Sequence, residues 1–503
     1  MAGLPGDAGG VEPMGRKRMV DRHAYPAPRL FIDGEWIDAG DRDTLPIANP
    51  ATGEAIGRLP VATRADLDRA LDAARRGFVV WRAKTALERA AILHRAAGLL
   101  RERADEIGRL STIEQGKLVG ESIAEAQASA DIFDWFAEDA RRDYGRIVPS
   151  KQPAVRHLVV HEPIGPAALF TPWNFPVTIP ARKLAAALAA GCSVVIKPAE
   201  ETPMSCLELA RALDDAGLPK GVLNVVFGLP AEISDYLIRS PVIRKVSFTG
   251  STGVGKLLAG IAAEVMKPTT MELGGHAPVI VFDDVDIDMV VRMTAASKFR
   301  NAGQICIAPT RFYLHDRIHD AFVARFAEAA RALTLGNGLD PGTRMGPLAN
   351  PRRVVAMEAM IGDAIAGGAA LRAGGAKGDL PGGNFWEATV LSDVPDSARI
   401  MNEEPFGPVI ATQRFETIED VAERANRLPY GLAAYAFTRS AAQAHRIGEM
   451  IEAGMVGVNF PVLTGPETPF GGVKESGHGS DGGIEALRGY QVTKYIAQGY
   501  LPG

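Results

Sequence analysis

The chain of 503 residues carries 55 Lys and Arg against 60 Asp and Glu, a formal net charge of −5, with 47% hydrophobic and 23% charged residues. Those proportions match globular averages, which excludes an intrinsically disordered chain and leaves apolar material for about three domains at roughly 100–200 residues each. The mild acidity, with no Lys/Arg run longer than Arg16-Lys17-Arg18, argues against a nucleic-acid partner, which needs a basic face.

Residues 1–28, rich in Gly, Pro and charge, are expected to form a flexible arm. They hold no apolar run of the kind a secretory signal needs. Leu184–Ile196 is the most apolar segment, and it falls short of the roughly 20 residues a membrane-spanning helix requires. Three cysteines, Cys192, Cys206 and Cys306, make no disulfide framework in a chain this long, and a reducing, cytoplasmic setting is expected. No membrane partner and no metal site are expected.

Two helices are predicted near 64–83 and 86–107, where apolar residues recur at three- and four-residue spacing. Residues 153–163 (PAVRHLVVHEP) alternate in the manner of an antiparallel ribbon. From 165 onward short apolar runs at 167–170, 193–197, 223–227 and 245–250 alternate with helical stretches at 178–190, 203–216 and 230–239. That alternation predicts right-handed βαβ crossovers and a parallel sheet. A second alternating block runs from about 277 to 470, and Leu487–Ile496 reads as a final strand beyond it. The fold class is α/β, two domains and a ribbon.

Several segments carry chemical potential, and each taken singly has an ordinary structural explanation. The sequence GSTGVG at 250–255 joins a strand to a helix, where close backbone approach and free amides favour phosphate; its spacing is not GxGxxG, and it also suits a plain turn. Lys197 and Glu200 lie at a strand end, where open α/β sheets bind ligands, though Glu200 also suits a solvated helix cap. Cys306, in NAGQICIAPTR, sits between a helix ending near Asn301 and a strand expected from Ile307; a thiol there is a candidate nucleophile, while Cys192 and Cys206 read as small buried hydrophobes. Glu272 and Asn174 are each placed at a strand end, Glu272 facing a cleft.

Taken together, TPWNFP, KPAEETP, FTGSTGVG, MELGG, GQIC, EEPFGP and PFGGVKESG occur in the order seen in the aldehyde dehydrogenase superfamily, and the resemblance spans about residues 29–497. It implies a Rossmann-type NAD-binding domain at 29–145 and 164–272, a catalytic α/β domain at 273–484, and oligomerisation elements at 146–163 and 485–503; a homodimer or homotetramer is expected because the 153–163 ribbon and the 487–496 strand would otherwise expose unpaired edges. It implies Cys306 as nucleophile, Asn174 and the Cys306 amide as oxyanion donors, and Glu272 as general base. Because branches that pass the acyl group to coenzyme A usually lack this glutamate, the resemblance favours hydrolysis to a free acid. On the cofactor side it implies Trp173, Lys197, Glu200, Gly250, Ser251, Gly255, Glu404 and Phe406. An anion at Glu200 would accept a 2′-hydroxyl and repel a 2′-phosphate, so NAD is preferred over NADP.

Arg182, Arg300 and Thr464 resemble the succinate-semialdehyde dehydrogenase branch, where two guanidiniums and a hydroxyl hold a distal carboxylate. Either arginine could instead form a structural ion pair. Phe460-Pro461-Val462-Leu463 departs from that branch, and a bulkier wall there would admit an aromatic or longer aliphatic aldehyde. A non-catalytic structural or binding role is the reading of another class, and intact Cys306, Glu272 and Asn174 speak against it.

Overall fold

A computed structural model describes residues 25–500. Most of the expected arm, residues 1–24, lies outside the described residues. At Tyr25 the chain is already tied down, because its hydroxyl donates to Glu114 at 2.5 Å.

The first two helices start as their sequences dictate. Thr63 and Thr85 each accept the amide hydrogen of the third helical residue, and Asp66 and Glu88 reach back to the cap amide, giving reciprocal boxes that open Arg64–Arg82 and Ala86–Glu102. The second helix is shorter than predicted. Arg103 (φ −98°, ψ 9°) breaks it, and a separate helix, Ala104–Gln115, follows and ends on Gly116 at φ +99°. A fourth, Val119–Ala140, has no counterpart in the sequence prediction. Both were hidden for one reason. They bury Ser111, Thr112, Glu114, Gln115, Ser122, Glu125 and Ser129, so polar residues sit on their inner faces and the apolar period is lost.

The first sheet runs, edge to edge, Gly477–His478, Thr269–Glu272, Lys245–Thr249, Ala167–Phe170, Val194–Lys197, Leu223–Val225, Leu30–Ile32 and Glu35–Ile37. Its five central strands are parallel. Numbered along the chain their spatial order is 5-4-1-2-3, the doubly wound arrangement with its switch point beside Ala167–Phe170. Phe170 pairs with Lys197 and with Phe248, and Thr249 pairs with Glu272. The carboxyl ends therefore align, and the segments that follow them, bearing Asn174, Glu200 and Gly250, leave from one end of the sheet together with Glu272. Four of these strands match the predicted runs to within two residues, because fully buried parallel strands read as plain apolar stretches; Thr269–Glu272 was foreseen only as a strand end at Glu272.

The second sheet has the order Ala370–Ala373, Thr389–Ser392, Val409–Phe415, Arg311–His315, Pro278–Val281, Ala433–Phe437 and Met455–Val458, parallel except for its first pair. The strand expected from Ile307 begins only at Arg311, since Ala308 turns back to donate to the Ile305 carbonyl at 3.0 Å. Each sheet has its own apolar core, one built from residues 30–273 with Ala486, Leu487 and Tyr490, the other from 277–455.

The ribbon is a three-stranded antiparallel sheet of Gln491–Gly499, Val155–Pro163 and Arg146–Val148. The final strand therefore starts at Gln491, not Leu487; Gly483–Arg488 is a short helix whose Ala486 and Leu487 sit in the first core. Among the described residues no helix is long and apolar enough to cross a membrane.

Candidate active site

The helix Ile287–Phe299 ends in a tight turn in which Asn301 (φ +50°, ψ +34°) and Ala302 (φ +50°, ψ +35°) both take left-handed backbone. Such conformations cost energy in non-glycine residues and persist only where the surroundings over-determine them. Here they are fixed from several directions. The Asn301 amide N–H donates to Glu121 at 3.1 Å, and its side-chain Nδ2 donates to the Asn174 carbonyl at 2.9 Å. Gln115 Nε2 donates to Asn301 Oδ1 at 2.8 Å. The turn delivers Cys306 to the floor of the cleft, half-buried.

Asn174 follows the strand Ala167–Phe170 and is buried. Its Nδ2 donates one hydrogen to the Gln304 carbonyl at 3.1 Å, and the second N–H remains. Its Oδ1 has no partner among the described residues. Its backbone carbonyl is held by both Asn301 and Lys117, whose Nζ lies 2.8 Å away. Lys117 and Glu125 form a buried ion pair of 2.6 Å. The other Glu125 oxygen accepts the amides of Val177 and Thr178, both at 2.9 Å, and so caps the helix Thr178–Ala190. Sequence reading passed over Gln115, Lys117, Glu121 and Glu125. The available signal was an unusual run of polar residues between two helical patterns.

Glu272 is the last residue of its strand, 2% exposed, and neither carboxylate oxygen has a hydrogen-bond partner among the described residues. Burial, then the neighbouring Asp481, push its carboxyl well above the ordinary range, against the opposing pull of Lys183 and Arg182. Lys183 is itself satisfied by Asp481 and Ser247, each at 2.7 Å. Burial pushes the Cys306 thiol up to about 12, with Glu404 and Glu272 adding to the rise, while the amides of Cys306 and Ile307 pull it down.

Cys306, Glu272, Arg182, Arg300 and Thr464 line one cavity of about 530 Å³, whose walls are largely apolar: Phe175, Ile179, Ile305, Ile307, Leu432 and Phe470. The two arginines differ. Arg182 is 4% exposed and donates from Nη2 to the Thr464 carbonyl at 2.6 Å and from Nη1 to the Asp481 carbonyl at 3.4 Å. Its guanidinium lies over the Phe470 ring at 5.1 Å. Arg300 is exposed and lies over Phe175 at 5.3 Å; no oxygen of the described residues bonds its guanidinium, whose charge acts on the half-buried Glu121. The expected wall at Phe460–Leu463 does not form. Phe460 and Val462 point to solvent at 57% and 54% exposure, Leu463 packs on the second core, and only Thr464 and Pro466 of this loop reach the cavity.

On the opposite side, Ser251 stands at the start of the helix Thr252–Glu264 without capping it by its side chain, which leaves the first amides unspent. Lys197 and Glu200 form an ion pair, and the Thr171 hydroxyl at the adjoining strand end has no partner among the described residues. Gly255 has a packing reason for being glycine: a Cβ would meet Leu273 at 2.2 Å, and Gly253 has no such contact. Trp173 meets Phe406 edge-to-face at 5.5 Å, and Phe406 has φ +45°. Glu404 accepts the Gly275 amide at 3.2 Å and is pushed up to about 7, chiefly by burial. Unspent amides, an ion-paired carboxylate and an unpartnered hydroxyl at the mouth of a doubly wound sheet fit a dinucleotide.

A thiol and a buried carboxylate share a cavity beside a nucleotide-type sheet end, an arrangement suited to thiol chemistry with a dinucleotide. Comparison with known proteins narrows the class. A model of the aldehyde dehydrogenase family matches residues 36–496. The 4-(hydroxymethyl)benzenesulfonate dehydrogenase TsaD1 of Comamonas testosteroni is 45% identical over 94% of this chain and 98% of that protein. The succinate-semialdehyde dehydrogenase [NADP(+)] GabD of Escherichia coli (strain K12) is 42% identical, with 94% and 98% covered. The crystal structure of succinate-semialdehyde dehydrogenase from Burkholderia pseudomallei superposes with a TM-score of 0.92 at 43% identity, covering 94% of this chain and 98% of that one. The chain belongs to the aldehyde dehydrogenase family.

Proposed function

We propose that this protein oxidises an aldehyde bearing a distal anionic group to the free carboxylic acid, with NAD preferred over NADP. The carrying observation is Arg300, a guanidinium with no bonded oxygen among the described residues, in the same apolar cavity as Cys306. Arginine offers a planar fork to carboxylate or sulfonate. Glu272 takes the Cys306 thiol proton and passes it to solvent as the sulfur attacks the aldehyde carbon, and the new oxyanion takes the free N–H of Asn174 and the Cys306 amide. Lys197, Glu200, Ser251, Glu404 and Phe406 would hold the dinucleotide. When bound, its nicotinamide supplies the acceptor for the aldehyde hydride, leaving the acyl group on sulfur. Glu272 removes a proton from the water that cleaves this thioester, returning the thiol and releasing the acid.

Succinate semialdehyde is the best single substrate, supported by Arg300 and Thr464 in the cavity and by the relatives of that name, with Arg182 holding the Thr464 carbonyl. A larger aromatic aldehyde is the second reading. A cavity of about 530 Å³ walled by Phe175 and Phe470 favours it, as does a relative named for a benzenesulfonate. The test compares kcat/KM for succinate semialdehyde, 4-formylbenzoate and butanal. A preference for either anion over butanal supports the reading and chooses between its two forms; butanal turned over equally well overturns it. We further infer a homo-oligomer, since Gln491–Gly499 is an exposed edge with Tyr495 at 59% exposure. A monomer at micromolar concentration in analytical ultracentrifugation would contradict that inference.

A further inference from the structure

The loop that carries Cys306 is held on its far side by a tyrosine that the chemistry above does not use. Tyr435 lies in the strand Ala433–Phe437 of the second sheet and is 1% exposed. Its hydroxyl donates to the Ile307 carbonyl at 2.7 Å, across 128 residues of chain. The carbonyls on either side are satisfied locally: Ile305 accepts the Ala308 amide at 3.0 Å, and Ala308 accepts the Thr310 hydroxyl at 2.9 Å. Among these three carbonyls, that of Ile307, the residue next to the thiol, is the one held by a distant element.

Two further contacts confine the same stretch. Gly275 packs so close that a Cβ there would come within 2.6 Å of the Cys306 carbonyl oxygen. Behind the tyrosine ring, Gly457 pairs with Tyr435 from the adjacent strand Met455–Val458, and a Cβ on it would meet Tyr435 Cδ1 at 3.1 Å and Leu463 Cδ2 at 3.4 Å. A ring so closely packed has little room to tilt. Burial, then Cys306, push its phenol upward, so the hydroxyl keeps its proton and donates. On the other side of the thiol, Asn174 and Asn301 hold the Gln304 carbonyl at 3.1 and 3.4 Å.

We propose that Tyr435 is a positioning residue for Cys306: its hydroxyl, carried on a ring backed by Gly457, fixes the Ile307 carbonyl and with it the placement of the sulfur against the aldehyde carbon. Phenylalanine at this position keeps the ring and its packing but releases the Ile307 carbonyl, a buried acceptor left without its donor. One flank of the thiol is then free while the Gln304 flank stays held. The proposal rests on Cys306 being the nucleophile.

The experiment is single-turnover NADH formation, with enzyme in excess and NAD saturating, on wild type, Tyr435→Phe and Cys306→Ala. The aldehydes are butanal and whichever of succinate semialdehyde and 4-formylbenzoate wild type turns over faster; NAD Kd comes from tryptophan fluorescence quenching. In Tyr435→Phe the rate constant at saturating enzyme should fall about tenfold for both aldehydes, the scale of one hydrogen bond, while NAD Kd stays within about twofold. That rate constant belongs to the folded molecules alone, so a residue that merely stabilised the fold would not move it. An unchanged rate constant overturns the proposal. So does a fall confined to the anionic aldehyde, which places the effect in the Thr464 loop, or a loss of NAD affinity as large as the loss of rate, which means general loosening. If Cys306→Ala still forms NADH, the nucleophile reading falls and takes the proposal with it; an inactive Cys306→Ala beside a neutral Tyr435→Phe sinks the proposal alone.

Discussion

The turn that presents Cys306 and the cavity that faces it are built on opposite principles. The turn is saturated with polar contacts from distant parts of the chain: Gln115, Lys117, Glu121 and Asn174 all bond it or its neighbour. The cavity is walled by aliphatic and phenyl groups, and the guanidinium of Arg300 is left without a bonded oxygen among the described residues. Chemistry at sulfur tolerates little misplacement, and the turn bearing the proposed nucleophile is pinned. On the proposed function, the exposed Arg300 guanidinium is the cation available to an anionic substrate.

The sharpest break of this contrast is at the sulfur. Cys306→Ala removes the atom on which the acyl group is carried, and kcat should fall by at least about 10³-fold with no burst of NADH. A variant retaining a burst would put the nucleophile elsewhere.

Next comes the pinning itself. Lys117→Met strands Glu125 as an unpaired buried carboxylate and frees the Asn174 carbonyl. Breaking one partner of a buried pair costs about 3–5 kcal/mol, so denaturant unfolding should show a loss of that size. A change below about 1 kcal/mol, the level of a surface pair, would mean the pin is dispensable.

Glu272→Gln separates the two halves of the reaction. The burst should survive, though formed more slowly, while steady-state turnover drops about 10²-fold, the typical scale of a positioned general base. The sign of the pH effect follows from the raised carboxyl. At low pH Glu272 holds its proton and cannot act as base, so wild-type turnover should climb as pH rises through its elevated pKa. In Glu272→Gln that limb should vanish; its persistence would assign the base to another group.

On the recognition side the effect is smaller and selective. Arg300→Ala should lower kcat/KM for an anionic aldehyde by about 10- to 100-fold, the scale of a hydrogen bond to a charged group, and leave butanal within about twofold. Arg182→Ala should behave differently, since it unties the Thr464 and Asp481 carbonyls: activity toward both aldehydes should fall together. Equal behaviour of the two variants would erase the distinction between them.

That distinction shows where the sequence was legible. The strands Ala167–Phe170 and Lys245–Thr249 could be read directly, because a buried parallel strand is a short apolar run. Cys306, Glu272 and Asn174 were recognisable through ordered motifs; Cys306 and Glu272 line one cavity, and Asn174 bonds the Gln304 carbonyl two residues before the thiol. Arg182 and Arg300 looked alike in sequence. What separates them is a pair of backbone carbonyls 282 and 299 residues further along, which no local pattern encodes. Lys117 and Glu125 escaped for a related reason. Their helices carry polar residues inward, and periodicity arguments assume the reverse.

The smallest expected effect is on the cofactor side, at Glu200. Its carboxylate is already paired with Lys197, so the local field is partly neutralised and the bias against a 2′-phosphate is moderate. Partly exposed charges interact weakly through water, and NAD should exceed NADP by about tenfold in kcat/KM, the equivalent of about 1.4 kcal/mol. Glu200→Ser removes the repulsion and leaves Lys197 free to meet a phosphate, which should bring the ratio to about one or invert it. A wild-type enzyme faster with NADP would reverse the assignment, and Lys197 rather than Glu200 would then set the choice of dinucleotide.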